Sequence, residues 1–111
     1  GLLGTRFTME QDFYRSRLTE QYGLEVITPP AADREIVHRI IYEELCQGQI
    51  RAESQQEYRR IMAELIAQGA AGIILGCTEI SLLVSQSDAS VPLFDTTQIH
   101  ARSAALWMLA E

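Results

Sequence analysis

Apolar residues fall along this chain in two spacings. Short unbroken apolar runs mark buried strands, and longer stretches in which apolar residues return every three to four positions mark amphipathic helices. Leu2-Leu3 ends a first strand, and Gly4-Thr5-Arg6-Phe7 is the loop after it. Thr8, three residues before Gln11, is a candidate capping box for a helix to about Tyr22, with Phe13, Tyr14, Leu18 and Tyr22 near one face and Gly23 as its stop. Leu24-Glu25-Val26-Ile27-Thr28 reads as a short strand closed by Pro29-Pro30. Asp33 is the candidate N-cap of the next helix, where Ile36, Val37, Ile40, Ile41 and Leu45 repeat at helical spacing until Gly48. A longer helix is predicted over about Ala52 to Gln68, with Tyr58, Ile61, Met62, Leu65 and Ile66 as its buried stripe and Gly69 as its end. There follow a strand Gly72 to Gly76, a short helix Thr78 to Val84, a polar loop Ser85 to Ser90, a strand around Val91 to Phe94 and a last helix from Thr97 through Ala110. The order βαβααβαβα predicts an α/β fold: a doubly wound, mainly parallel four-stranded sheet with helices on both faces.

The 111 residues suit one domain. Gly1-Leu2-Leu3-Gly4-Thr5 reads as the end of a strand without its beginning, and no initiator Met precedes it, so the chain is expected to be a piece of something longer. Fifteen Asp and Glu against nine Arg, with no lysine at all, give a net charge of -6. That balance argues against nucleic acid and anionic membrane as partners, because both demand clustered positive charge. Cys46 and Cys77 stand far apart with no CxxC and no Cys/His cluster, so neither a metal site nor a disulfide framework is indicated. No apolar run approaches the length that spans a bilayer. A cytoplasmic protein with reduced thiols is the expectation.

The run Gly72-Ile73-Ile74-Leu75-Gly76 ends abruptly in Cys77-Thr78-Glu79. A buried parallel strand here delivers Cys77 to the carboxyl end of the sheet, where open α/β sheets bind ligands. A helix starting at Thr78 would favour thiolate over thiol through its N-terminal partial charge. Cysteine is also a common packing residue. Gly76, which permits close backbone approach, and the hydroxyl and carboxylate that follow favour a reactive sulfur.

Gly76-Cys77-Thr78-Glu79 preceded by Gly-Ile-Ile-Leu resembles the second catalytic-cysteine motif of the aspartate/glutamate racemase superfamily. Gly1 to Met9 resembles the loop opening the second lobe of these proteins, Ile41 to Leu45 with Gly48 resembles its middle helix, and Phe94 to Thr97 with Ile99-His100-Ala101 resembles its C-terminal segment. Within the superfamily the chain is most similar to the branch of aspartate racemases and broad-specificity amino-acid racemases, since glutamate racemases usually carry His where Glu79 stands. The resemblance implies one lobe of a two-lobe pseudo-symmetric racemase that uses no cofactor and interconverts L- and D-amino acids. Residues 1–94 would form the α/β lobe, and residues 95–111 a C-terminal segment packing on the first lobe.

Such enzymes face a weakly acidic α-hydrogen without an electron sink such as pyridoxal phosphate. As the resemblance implies, two cysteines flank the amino acid: one thiolate removes the proton and the opposing thiol returns one to the other face. Cys77 would serve one face. Its partner would lie on the first lobe and not at Cys46, so the 111-residue chain alone is expected to be inactive. Thr5 and Thr78 are the candidate donors to the substrate α-carboxylate, although Thr5 is equally readable as a loop or cap residue. Glu79 either holds the substrate ammonium or tunes Cys77, or is simply a carboxylate favoured in a first helical turn. In members acting on aspartate, a lysine just before the glycine matching Gly48 is implied as a ligand for the second carboxylate. This chain has Cys46 or Gln47 there, which favours a broader or neutral substrate.

His100 reads as structural or exposed more readily than as a site residue, Arg6 as a carboxylate ligand or a solvated charge, and Thr8 as an N-cap. Phe13, Tyr14, Tyr42 and Tyr58 read as core or lobe-contact residues, and Trp107 as part of an apolar face toward the first lobe. The expected partners are a small-molecule amino acid, the N-terminal lobe and a second copy in a homodimer. Alternatives are a flavodoxin-like small-ligand or regulatory lobe without catalysis, or another reaction of the superfamily such as maleate isomerisation or hydantoin racemisation.

Overall fold

The computed structural model describes residues 1–10, 16, 19–20 and 23–95. Its apolar runs form three parallel strands, β1 (Leu2–Leu3), β2 (Ile73–Leu75) and β3 (Leu93–Asp95), in the order β1-β2-β3. Leu2 lies opposite Ile74 and Leu3 opposite Leu75, while Ile73, Ile74 and Leu75 face Leu93, Phe94 and Asp95. Alternate strand residues point to opposite faces. Leu3, Ile73 and Leu75 therefore share one face, where they join Val37, Ile40, Ile41, Tyr58, Ile61, Met62 and Leu65 in the core. Leu2 points the other way and is also wholly buried, so both faces of the sheet are covered.

The sheet has three strands among the described residues, not four. The segment predicted as a strand at 24–28 lies beside β1, where the Leu2 N–H donates to the Ile27 carbonyl at 2.9 Å, but it forms no ladder. Pro29 and Pro30 carry no N–H, and a two-residue β1 offers little to pair with, so extension stops there. The path of the chain matters more than the strand count. From β1 it runs to the 24–28 segment on one side, then returns on the other side to β2. That reversal places a topological switch point at the carboxyl ends of β1 and β2, the position where open α/β sheets leave a crevice.

Helix α1 (Arg6–Glu10) starts two residues earlier than the predicted Thr8 cap. Thr5 is the cap: the Thr8 N–H donates to Thr5 Oγ1 at 3.4 Å and the Met9 N–H to the Thr5 carbonyl at 3.1 Å. Gln11, Phe13, Tyr14, Leu18 and Tyr22 lie outside the described residues. Gly23, at φ +65°, gives its N–H to Thr19 at 3.0 Å, the C-terminal stop its sequence position suggested.

Helix α2 (Ala31–Glu43) takes Pro30 as its N-cap, and Asp33 sits in its first turn rather than at the cap. The Asp33 carboxylate turns instead to Arg60, whose guanidinium donates to it at 2.8 Å and holds it below the usual carboxylate range. A 3-10 turn, Leu45–Gln47, follows and closes at Gly48 with φ +75°. Helix α3 (Ala52–Ala67) matches the predicted stripe, and α4 (Ile80–Leu83) is a single turn, shorter than the predicted Thr78 to Val84. A second 3-10 turn, Gln86–Asp88, sits within the predicted polar loop and carries a Ser85–Asp88 capping box. The helix predicted from Thr97, with His100 and Trp107, lies outside the described residues, and the boundary expected between residues 94 and 95 falls within β3.

Tyr58 ties α3 to α2: its ring is fully buried and its hydroxyl donates to the Val37 carbonyl at 3.0 Å. Burial first, with the electrostatic influence of Cys77 and Glu44 adding to it, raises its pKa, so the phenol stays neutral and keeps its proton for that bond. Tyr58→Phe should lower the unfolding free energy by about 1 kcal/mol, seen as a lower urea midpoint at unchanged slope.

Candidate functional site

Two loops meet at the switch point. The first, Gly4-Thr5, leaves β1, and the second, Gly76-Cys77-Thr78-Glu79, leaves β2. They are stitched by the Gly76 N–H, which donates to the Leu3 carbonyl at 2.7 Å. A Cβ on Gly76 would stand 3.1 Å from that carbonyl oxygen and 3.1 Å from Thr8 Cγ2, so only glycine lets the loops close this far. Gly4 makes the matching approach from the other side, where a Cβ would lie 3.0 Å from Thr8 Cγ2. Thr8 is thus packed between two glycines. Sequence reasoning took it only for a cap; its place depends on a contact 68 residues away, which no local pattern signals.

Cys77 is half-buried at the end of β2. Its thiol donates to Glu79 Oε2 at 2.8 Å, and Thr78 Oγ1 donates to the same oxygen at 2.8 Å. These two donors keep Glu79 an ionised carboxylate, below its ordinary range. The thiol moves in the opposite direction. Burial and the hydrogen bond to Glu79 push Cys77 up to about 11, with the charges at Glu79 and Cys46 adding to the effect and the Glu79 N–H opposing it.

This reverses the ionisation expected from a helix N-terminus. The helix after Cys77 begins three residues later and is one turn long, so it supplies little field, whereas the carboxylate is in direct contact. Cys77 rests as a proton-bearing thiol.

The hydroxyl of Thr5 pairs with that of Thr8 at 3.3 Å and caps α1, so the cap role is realised at Thr5. Arg6 spends its charge on Glu35 and Glu10 at the surface. Cys46 is exposed on the 3-10 turn that packs against α4, which brings that turn to the same end of the sheet as Cys77. The turn is anchored by Glu44, which is buried: Ser54 Oγ donates to its carboxylate, and its backbone carbonyl accepts from Gln47 at 3.1 Å and Gln49 at 2.8 Å. Tyr42, read as core or contact, is exposed. Among the described residues, no three His, Cys, Asp or Glu side chains gather as a metal ion would require, and no helix is long and apolar enough to cross a membrane.

A protonated thiol over a carboxylate, with hydroxyls beside it and a glycine-lined floor, can pass a proton to a small molecule at the sheet edge. Comparison with known proteins gives the family. The sequence profile of the Asp/Glu/hydantoin racemase family matches residues 1–104. Among solved structures, a candidate Asp/Glu racemase from Yersinia pestis is 65% identical, with a TM-score of 0.95 over 98% of this chain and 47% of its own. An aspartate racemase homologue from Pyrococcus horikoshii OT3 is 40% identical, with a TM-score of 0.86 over 99% of this chain and 47% of its own. The chain spans about half the length of these proteins.

Proposed function

This chain belongs to the Asp/Glu/hydantoin racemase family, and from that premise we propose that it supplies one face of an amino-acid racemase site in which Cys77 exchanges a proton with the substrate Cα. The observation that carries this reading is the Cys77 thiol, held protonated against Glu79 at the switch point between β1 and β2. The opposite catalyst, a thiolate, is assigned to the half of the relatives' length that this chain does not span. It takes the Cα proton on its own face; Cys77 gives its thiol proton to the other face of the carbanion, and the pair is left with its charges exchanged. No pyridoxal phosphate takes part.

Glu79 then has two donors at a time. In the free protein they are Cys77 and Thr78. With an amino acid bound, the substrate ammonium takes the place of the thiol, which frees the Cys77 proton for Cα. The α-carboxylate is assigned to the Thr5 hydroxyl and the Thr78 backbone N–H, donors without fixed charge, since the Thr78 hydroxyl proton is held by Glu79. The substrate side chain is assigned to the turn carrying Cys46 and Gln47, which packs beside α4. The turn itself carries hydrogen-bonding groups and no cationic side chain, and the guanidiniums of Arg39 and Arg51 beside it are turned to Glu44, so a neutral polar side chain suits it better than a second carboxylate.

The test is a screen of the intact protein against single L-amino acids in buffer free of pyridoxal phosphate, with the D-enantiomer read by chiral chromatography. Neutral polar amino acids should turn over faster than aspartate or glutamate, and the 111-residue segment alone should give none. Strong preference for aspartate would contradict the side-chain assignment; turnover by the segment as a monomer would contradict the two-catalyst scheme.

A further inference from the structure

Helix α2 grips the first turn of α1 with residues one turn apart. The Arg6 guanidinium donates to Glu35 Oε2 at 2.6 Å, and the Arg6 backbone N–H donates to His38 Nδ1 at 2.8 Å. The Phe7 ring meets the imidazole edge-on at 6.4 Å between centroids, and Tyr42, one turn further along α2, lies 4.7 Å from it. The first N–H of a helix has no acceptor within the helix and ordinarily faces water. Here a side chain 32 residues away accepts it.

The bond uses the lone pair on Nδ1, so His38 is the neutral tautomer with its proton on Nε2. In the charged imidazolium both nitrogens are donors, and Nδ1–H would confront the Arg6 N–H. Arg6 directly follows the cap residue Thr5, and the same turn presses Thr8 against Gly76 next to Cys77. We propose that His38 is a positioning residue for the Cys77 site, holding the Gly4–Thr8 turn against Gly76 through the Arg6 N–H only while its imidazole is neutral. This rests on the racemase reading above for its effect on activity, though not for the contact itself.

Among the described residues, the charged and titratable groups around His38 are Arg6 and Glu10 on α1 and Arg34, Glu35, Arg39 and Tyr42 on α2. Arg6 pairs with Glu35 and, at 3.8 Å, with Glu10; Arg39 lies 3.7 Å from Glu44; Arg34 donates to the Pro29 carbonyl at 2.9 Å. Histidine side chains change charge in the range of about pH 5 to 8. Protonation at this contact is therefore felt at the Arg6 amide.

Nuclear magnetic resonance on the intact protein reads this directly. The Arg6 amide resonance should shift with pH in step with the ring protons of His38 and should stop doing so in His38→Asn, whose side-chain oxygen accepts without titrating. An Arg6 amide that stays fixed while the His38 ring titrates would overturn the proposal, and this outcome needs no turnover and so stands apart from the racemase reading. In kinetics, His38→Ala should lower kcat/KM about fivefold at pH 8, the worth of one hydrogen bond. His38→Asn should restore most of that loss and remove from the acid limb of the wild-type profile the roughly fivefold part due to His38, leaving the fall from protonation of the opposing thiolate. An unchanged acid limb in His38→Asn would count against the positioning role; a purely structural residue would change the melting temperature and leave that limb in place.

Discussion

Cys77→Ser in the intact protein is expected to cut racemisation by about 10²- to 10⁴-fold in both directions, the usual worth of a positioned proton donor and acceptor. Serine keeps the size and nearly the geometry of the thiol, and its hydroxyl can still donate to Glu79. It fails because an alcohol is far too weak an acid to alternate between donor and base near neutral pH. The fold should be untouched: Cys77 is half-buried at a strand end and packs at the margin of the core. Equal urea midpoints for wild type and variant would show that the loss is chemical.

Glu79→Gln should make Cys77 more reactive while weakening catalysis. With its pKa pushed up to about 11, the wild-type thiol is ionised to roughly one part in a thousand at pH 8. Its alkylation by iodoacetamide should therefore rise about tenfold per pH unit between pH 7 and 10, since only the thiolate reacts. A raised thiol pKa means the proton is held until high pH, so the reactive form gains as pH rises. Glutamine removes the negative charge and the strong acceptor and leaves the burial, so alkylation at pH 8 should speed up by about tenfold. Reading the label at Cys77 itself by peptide mass spectrometry keeps the exposed Cys46 and the opposing thiolate out of the signal. Racemisation should fall at the same time, since the substrate ammonium loses its carboxylate. Slower alkylation in Glu79→Gln would mean that the carboxylate activates Cys77 rather than keeping it protonated.

Much of this arrangement is readable in the residues, and the misreadings share a cause. The stripe Tyr58, Ile61, Met62, Leu65 and the stop at Gly69 place α3 to within a residue, because helical spacing and a left-handed glycine are local signals. The run Ile73-Ile74-Leu75 marks β2, and Gly76 announces the close approach that its neighbours realise. The segment 24–28 has strand-like composition, but a ladder depends on the partner, and a two-residue β1 does not supply one to a segment closed by Pro29 and Pro30. Asp33 has the chemistry of a cap, yet Arg60, 27 residues on, claims it.

Cys77 is the instructive case. Its position was legible and its ionisation was not, because the dipole of a one-turn helix loses to a carboxylate 2.8 Å away, and the direction of that carboxylate is set by the turn rather than by the spacing. His38 carries no local signal at all; a histidine on a helix reveals its acceptor role only when α1 is laid against it. The family itself was legible from Gly76-Cys77-Thr78-Glu79 and the segments around it, and the match over residues 1–104 agrees.

The role of Cys77 as the catalyst of one substrate face is tested most directly by following deuterium entry at Cα in heavy water, starting from each pure enantiomer, with the intact wild-type protein and its Cys77→Ser variant. The wild type should exchange and invert both enantiomers. The variant should lose inversion by about 10²- to 10⁴-fold and keep fast exchange for one enantiomer only, the one whose Cα–H faces the remaining catalyst. Undiminished inversion in the variant, or loss of exchange from neither enantiomer, would contradict the assignment.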